Sequence, residues 1–209
     1  MNVLLPLVRS LCTVAALSAP LAASAGPSLL VNGSFEANVI AANSWSVLPS
    51  LTGWQGVPNI ELRRQNAGLA QDGLQFVELD TFNNSGMRQD VATATGQHYT
   101  LSWYYSPRIN LAAASNPIEV YWNDVLVTTN GGTGVGSNAH QWQLFSFDVI
   151  GTGGLDSLRF AAIGTSDSLG GSLDNVALVA VAAVPEPGAL ALVLAALGGL
   201  GLAGRRSKR

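Results

Sequence analysis

Residues 188–204 are an unbroken run of seventeen apolar or small side chains, closed by Arg205-Arg206-Ser207-Lys208-Arg209. A run of that length sits at the lower limit for a helix that spans a bilayer. The basic cluster behind it stays cytoplasmic. An amphipathic or buried core helix would be the alternative, but the run has no polar face. Glycines at 198, 199, 201 and 204 weaken the helix and favour close packing against another membrane protein. The N-terminus carries a second apolar stretch, in which Arg9 precedes Leu11–Leu17 and Ala23-Ser24-Ala25 follows. Those are the parts of a secretory signal peptide, with cleavage expected after Ala25. An N-terminal membrane anchor is disfavoured because Pro20 breaks the stretch and small residues end it. Only residues 26–184, 159 of them, remain to build a domain, and they lie across the membrane from the basic tail.

Between that domain and the apolar run stands Pro185-Glu186-Pro187. This tripeptide, the apolar span and the basic end with Arg205 and Arg206, in that order behind a signal peptide, resemble the PEP-CTERM sorting signal. The resemblance implies recognition by an exosortase, a membrane transpeptidase-like enzyme that cuts near the Pro-Glu-Pro site and releases or transfers the protein to the cell surface. Such systems accompany exopolysaccharide production in Gram-negative bacteria. Physically, a marginal inner-membrane anchor holds the chain while an extended, proline-flanked peptide is offered to a protease.

Charge divides the chain in the same way. The whole sequence has a formal charge of −3, yet residues 26–184 hold five arginines, no lysine and twelve carboxylates, a formal −7. The ends carry the other five cations. An acidic surface argues against nucleic acid and anionic lipid, and suits calcium or neutral polymers. The single cysteine, Cys12, falls in the signal peptide. Export would permit disulfides, so the domain relies on its core, with a metal clip as the available reinforcement.

Short β-rich runs recur through the domain: Leu74–Asp80, Met87–Val91, His98–Ser106, Ile118–Val127, Gln141–Ile150, Ser157–Ile163 and Leu173–Val181. Tyr99, Leu101, Trp103 and Tyr105 alternate with Thr100, Ser102 and Tyr104, the pattern of a half-buried strand. Asn123-Asp124 reads as a two-residue hairpin turn. The expectation is an all-β antiparallel sandwich. The glycine-rich loops Asn130–Gly136 and Gly151–Gly154 do not open helices after strands, so they are loop tips rather than phosphate cradles.

Catalysis finds little support. His98 and His140 read as solvated strand-end residues, no G-x-S-x-G elbow is present, and the carboxylate pairs Glu78 with Asp80 and Glu119 with Asp148 lack any specified geometry. The protein is expected not to be an enzyme; a glycan hydrolase is the disfavoured alternative.

A second resemblance covers nearly the whole domain. Asn-Gly-Ser-Phe-Glu at 32–36, Gly-Trp at 53–54, Asp-Gly-Leu-Gln-Phe-Val-Glu-Leu-Asp at 72–80, Gln-Asp-Val at 89–91, Gly-Gln-His-Tyr-Thr-Leu-Ser-Trp at 96–103, Gln-Trp at 141–142 and Ser-Leu-Asp-Asn-Val at 172–176 resemble the galactose-binding-like jelly rolls, which include carbohydrate-binding modules. The resemblance implies a structural calcium between the first and last strands, with Glu36 and Asp174 as side-chain ligands and Ser34 giving a backbone oxygen. Calcium wants such an oxygen cage; the alternative is that these groups make turn and strand-end hydrogen bonds without an ion. Glycan binding needs aromatic platforms flanked by polar groups. Trp54, Tyr104, Tyr121 and Trp142, with Trp45 in an early loop, are the candidates; Trp103 and Trp122 fall on the core phase. The resemblance places Trp142 under the sheet, and Gly53-Trp54 is either exposed or structural. Tyr104 and Tyr121, with Arg108 and Asn123, are expected to line one face, or else to be ordinary solvated strand residues. The function expected is an exported cell-surface or matrix protein that binds exopolysaccharide, with a self-associating structural protein as the alternative.

Overall fold

The computed structural model describes residues 26–182. The expected signal peptide, Pro185-Glu186-Pro187, the apolar run and Arg205-Arg206 lie outside the described residues. Ten strands follow in order: β1 (Ser44–Leu51), β2 (Trp54–Arg64), β3 (Gln75–Glu78), β4 (Gly86–Ala92), β5 (His98–Ser106), β6 (Ile118–Trp122), β7 (Val125–Asn130), β8 (Gln143–Ile150), β9 (Leu155–Ala162) and β10 (Ser172–Ala180). A single 3-10 turn, Ala113–Ser115, is the one helical element among the described residues. None of the helices described is long and apolar enough to cross a membrane.

All pairings are antiparallel, in the order β7-β6-β9-β4-β2-β3-β10-β5-β8, with β1 added on β2. The expected all-β antiparallel sandwich is the architecture observed. Strand β2 joins its two layers: residues 55–57 pair with β4, whereas residues 61–64 pair with β3. The chain bends between those stretches and changes layer, as strands do at sandwich corners. A Cβ on Gly56 would lie 2.7 Å from the Pro49 carbonyl oxygen, so the missing side chain lets β1 and β2 close at the bend.

Alternation builds the core. On β5 the expected residues Tyr99, Leu101, Trp103 and Tyr105 are buried, and on β6 Ile118, Val120 and Trp122 are. Trp103 stacks on Phe145 and Phe147 of β8 at 6.0 and 5.6 Å and meets Phe160 of β9 edge-on at 5.6 Å, which ties one layer to the other. The run expected at Ile118–Val127 is two strands joined at Asn123 and Asp124, with φ of 51° and 60°. Both are left-handed, as a type I′ hairpin requires, and asparagine and aspartate tolerate that region best after glycine.

Two strands escape the sequence pattern. Pro49 in β1, and Gly56 and Pro58 in β2, read as breakers, and the charged Glu61, Arg63 and Arg64 hide any apolar alternation. Strand β2 nevertheless sits at the centre of the sheet order, because Glu61 and Arg63 are buried as partners of other charges rather than solvated.

Candidate functional site

The charged half of β2 sets the site. Ile60 and Leu62 are buried in the core, so Glu61 and Arg63 project from the opposite, outer face. Register then assembles a row across that face: Val47 opposite Glu61, Glu61 opposite Glu78, Glu78 opposite Ser172, and Ser172 opposite Ser106. One step along, Trp45 lies opposite Arg63 and Arg63 opposite Phe76. Like charges opposite each other, as at Glu61 and Glu78, are destabilising unless compensated. Two arginines compensate them. Arg63 places Nε 3.0 Å from Glu78 Oε2, points Nη2 at Glu61 Oε1, and donates from Nη1 to Asn66 Oδ1 at 2.8 Å. Arg108, just past β5, donates from Nη1 to Glu78 Oε1, and the Gly170 N–H reaches the same oxygen at 3.2 Å.

Over this charged floor opens a cleft of about 320 Å³, lined by Trp45, Glu61, Arg63, Thr81, Phe82 and Arg108, with Asn66, Ser168 and Leu169 completing it. Trp45 is 50% exposed and Phe82 66% exposed, so two large aromatic rings stand open to solvent at its rim. Arg63 Nη1 donates to Asn66, while Nη2 and Nε lie at ion-pair distance from Glu61 and Glu78, Nε without hydrogen-bond alignment. Arg108 differs: its side chain is 17% exposed, and its Nε and Nη2 have no partner among the described residues. Burial pushes the Glu78 carboxyl up to about 7 against the pull of Arg63 and Arg108, and raises Glu61 in the same way. Both carboxylates sit at ion-pair distance from arginine.

The predicted ligand residues scatter. Arg108 lines the cleft, as expected of a binding residue. Trp54 does not: it is 2% exposed, packs on Phe35 and Phe160, and donates from Nε1 to the Asn32 carbonyl at 3.1 Å. Its place is the core, because β2 begins there and turns its ring inward. Tyr104 sits on β5 beside Asp174 and Leu144, outside the cleft, while Tyr121 sits on β6 in the other layer. They do not share a face with each other. The Tyr121 hydroxyl donates to Glu119, and the Arg159 guanidinium covers its ring at 3.8 Å. Asn123 is spent on the hairpin, donating to Asp156 Oδ1 and accepting the Ser157 N–H, both at 2.8 Å. Trp45, expected in a loop, is in β1. Sequence reasoning missed Phe82, Glu61 and Arg63, because charged residues beside Pro58 and Gly56 read as solvated loop rather than as a strand with buried ion pairs.

His140 is also not a solvated strand end. Its Nδ1 lies 2.9 Å from the Leu69 carbonyl, its ring meets Phe76 edge-on at 4.7 Å, and burial lowers its pKa. Trp142 precedes β8, half-buried, and donates to the same carbonyl at 3.1 Å. With Leu69 and Asn138 these rings line a second cleft of about 290 Å³.

Glu36 and Asp174, the expected calcium ligands, both reach residues 71–75; Glu36 Oε1 and both Asp174 oxygens face N–H donors. Glu36 Oε1 accepts the N–H groups of Leu74 and Gln75 at 2.7 and 2.6 Å. Asp174 accepts those of Gln71 and Asp72 on Oδ2 and of Asn175 on Oδ1, at 2.7 to 2.9 Å. The carbonyls on either side of Ser34, at Gly33 and Phe35, accept the Val176 N–H and the Gln75 amide. A calcium cage needs six to eight oxygens turned toward the ion, and among the described residues no group of three acidic, histidine or cysteine side chains gathers to hold one. As arranged, these residues do not fit the ion; they clasp the segment before β1 and strand β10 to residues 71–75 by hydrogen bonds. Burial pushes the Asp174 carboxyl up to about 7 even though three backbone N–H groups favour its charged form.

Compared with known proteins, residues 183–209 match the PEP-CTERM protein-sorting motif. The chain carries that motif behind its β-sandwich. Over 155 residues, 72% of the chain, it is 28% identical to the multifunctional-autoprocessing repeats-in-toxin protein of Vibrio cholerae, and it spans about 3% of that relative's length. Among solved structures, a cyclase from Fischerella sp. TAU superposes with a TM-score of 0.55 at 15% identity, covering 78% of this chain and 100% of the cyclase. A family 16 carbohydrate-binding module has 18% identity over 72% of this chain and 99% of its own, with a TM-score of 0.49. The likeness to the cyclase is one of fold.

Proposed function

We propose that this chain is an exported exosortase substrate whose β-sandwich is a non-catalytic carbohydrate-binding module, and that it binds surface or matrix polysaccharide in the cleft between Trp45 and Phe82. One observation carries the binding half: two exposed aromatic rings flank a floor in which Arg108 keeps unpartnered N–H groups. Sugar rings offer apolar C–H faces to aromatic platforms and hydroxyls to such donors. The ion pairing of Glu61 and Glu78 supports a binding role over hydrolysis, which requires one free acid and one free base. The sorting half is supported by residues 183–209, with Pro185-Glu186-Pro187 offered to the exosortase and Arg205 and Arg206 behind the transient inner-membrane anchor.

A second reading, self-association, draws on β8. It ends the sheet order, exposes Leu144 and Ile150, and has no lysine to discourage pairing with another strand. Retention of the exported protein on immobilised polysaccharide separates the two. Trp45→Ala and Phe82→Ala should each abolish retention, whereas retention that survives both, or concentration-dependent dimers without retention, would refute the cleft as the site.

A further inference from the structure

Resting on the carbohydrate-binding reading, we infer that the Trp45–Phe82 cleft selects uncharged glycans and discriminates against those bearing carboxylates. The floor presents two cations and two anions, and they neutralise each other in place: Arg63 against Glu61 and Glu78, Arg108 against Glu78. With both carboxylates ionised, no positive charge is left over for a ligand carboxylate. The rim residues Trp45, Thr81, Phe82, Ser168 and Leu169 add none.

The surroundings are negative. Asp80 is buried next to the cleft residue Thr81, close enough to Glu61 to disfavour its charge. Asp167 adjoins Ser168, and the described residues carry twelve carboxylates against five arginines. A uronate entering the cleft would leave the floor with a net negative charge in a partly desolvated site, where charge interactions are strong. A sugar hydroxyl meets no such penalty. It accepts from the free Arg108 N–H groups, and its own O–H can donate to Glu61 or to the hydroxyls of Thr81 and Ser168. Arginine is usually read as a carboxylate receptor; here Glu78 already fills that role from below.

The test uses the exported protein with cellohexaose, laminarihexaose and mannohexaose, each paired with its C6-oxidised uronate, by calorimetry at about pH 8, where Glu78 is charged. At least one neutral hexaose is expected to bind roughly tenfold tighter than its uronate, with affinity nearly constant between about 0.05 and 0.5 M salt. Glu61→Gln should raise uronate affinity at least about threefold by leaving the floor net positive. Uronates that bind tighter than their neutral partners, with affinity falling as salt rises, would overturn the inference while leaving glycan binding intact. Failure of all six ligands to bind would overturn glycan binding at this cleft and the inference together. If Glu61→Gln does not fold, the salt dependence of the unsubstituted protein still decides between the first two outcomes.

Discussion

Arg63→Met removes a guanidinium while keeping most of the aliphatic stem. That guanidinium is the main counter-charge for Glu61 and one of two for Glu78, and all three side chains are buried, Glu78 completely. Breaking a buried pair by deleting one partner costs about 3–5 kcal/mol, because an uncompensated charge is left behind. Arg108 still holds Glu78, which places the expected loss near the lower end, about 3 kcal/mol. For a domain of this size roughly 1 kcal/mol corresponds to 2–4 °C, so the Tm should fall by about 6–12 °C. Urea and thermal unfolding of the exported protein at about pH 8 and about pH 5 read the effect. The Glu78 carboxyl is raised from 4.5 to about 7 in the fold, and losing Arg63 raises it further. A raised folded-state pKa means that stability is fully present below the unfolded value and is lost as pH rises through the folded one. The cost of the substitution should therefore be smaller at pH 5, where Glu78 carries a proton, than at pH 8. A loss below about 1 kcal/mol, or an equal loss at both pH values, would show that packing rather than charge pairing holds this face together.

Three further outcomes follow from the same geometry. Trp54→Ala should destabilise the domain by about 3–5 kcal/mol through the cavity it leaves, and wild-type retention per folded molecule would confirm that Trp54 does not touch ligand. Asp174 is raised from 3.8 to about 7, so it contributes stability that is present below about pH 4 and lost as pH rises through 7; Asp174→Asn should flatten the stability profile over that window, and an unchanged slope would contradict the burial argument. Chelation should leave the Tm unchanged, since Glu36 and Asp174 already accept N–H groups, whereas a fall of several degrees that Asp174→Ala abolishes would restore the calcium reading.

The amino-acid sequence by itself determined whatever depends on local pattern. Apolar length and terminal charge mark the two ends, which need no partner to be recognised. Alternation places β5 from His98 to Ser106 residue for residue, and Asn123-Asp124 marks the hairpin because few side chains accept two left-handed positions in succession. Glu36 and Asp174 were legible as groups that secure the two ends of the domain, but not as acceptors for the 71–75 loop, since a carboxylate that will meet an N–H looks the same in sequence as one that will meet a cation. Only the tertiary structure decided the site. Trp45, Glu61, Phe82 and Arg108 come from four separate places in the chain, and no spacing rule connects them. Strand β2 stayed hidden because its glycine and proline serve a bend between layers, and because Arg63, besides its strand neighbour Glu61, is buried against Glu78 from another strand, which Arg108 in turn holds from past β5. A charge reads as surface until the fold supplies its counter-charge.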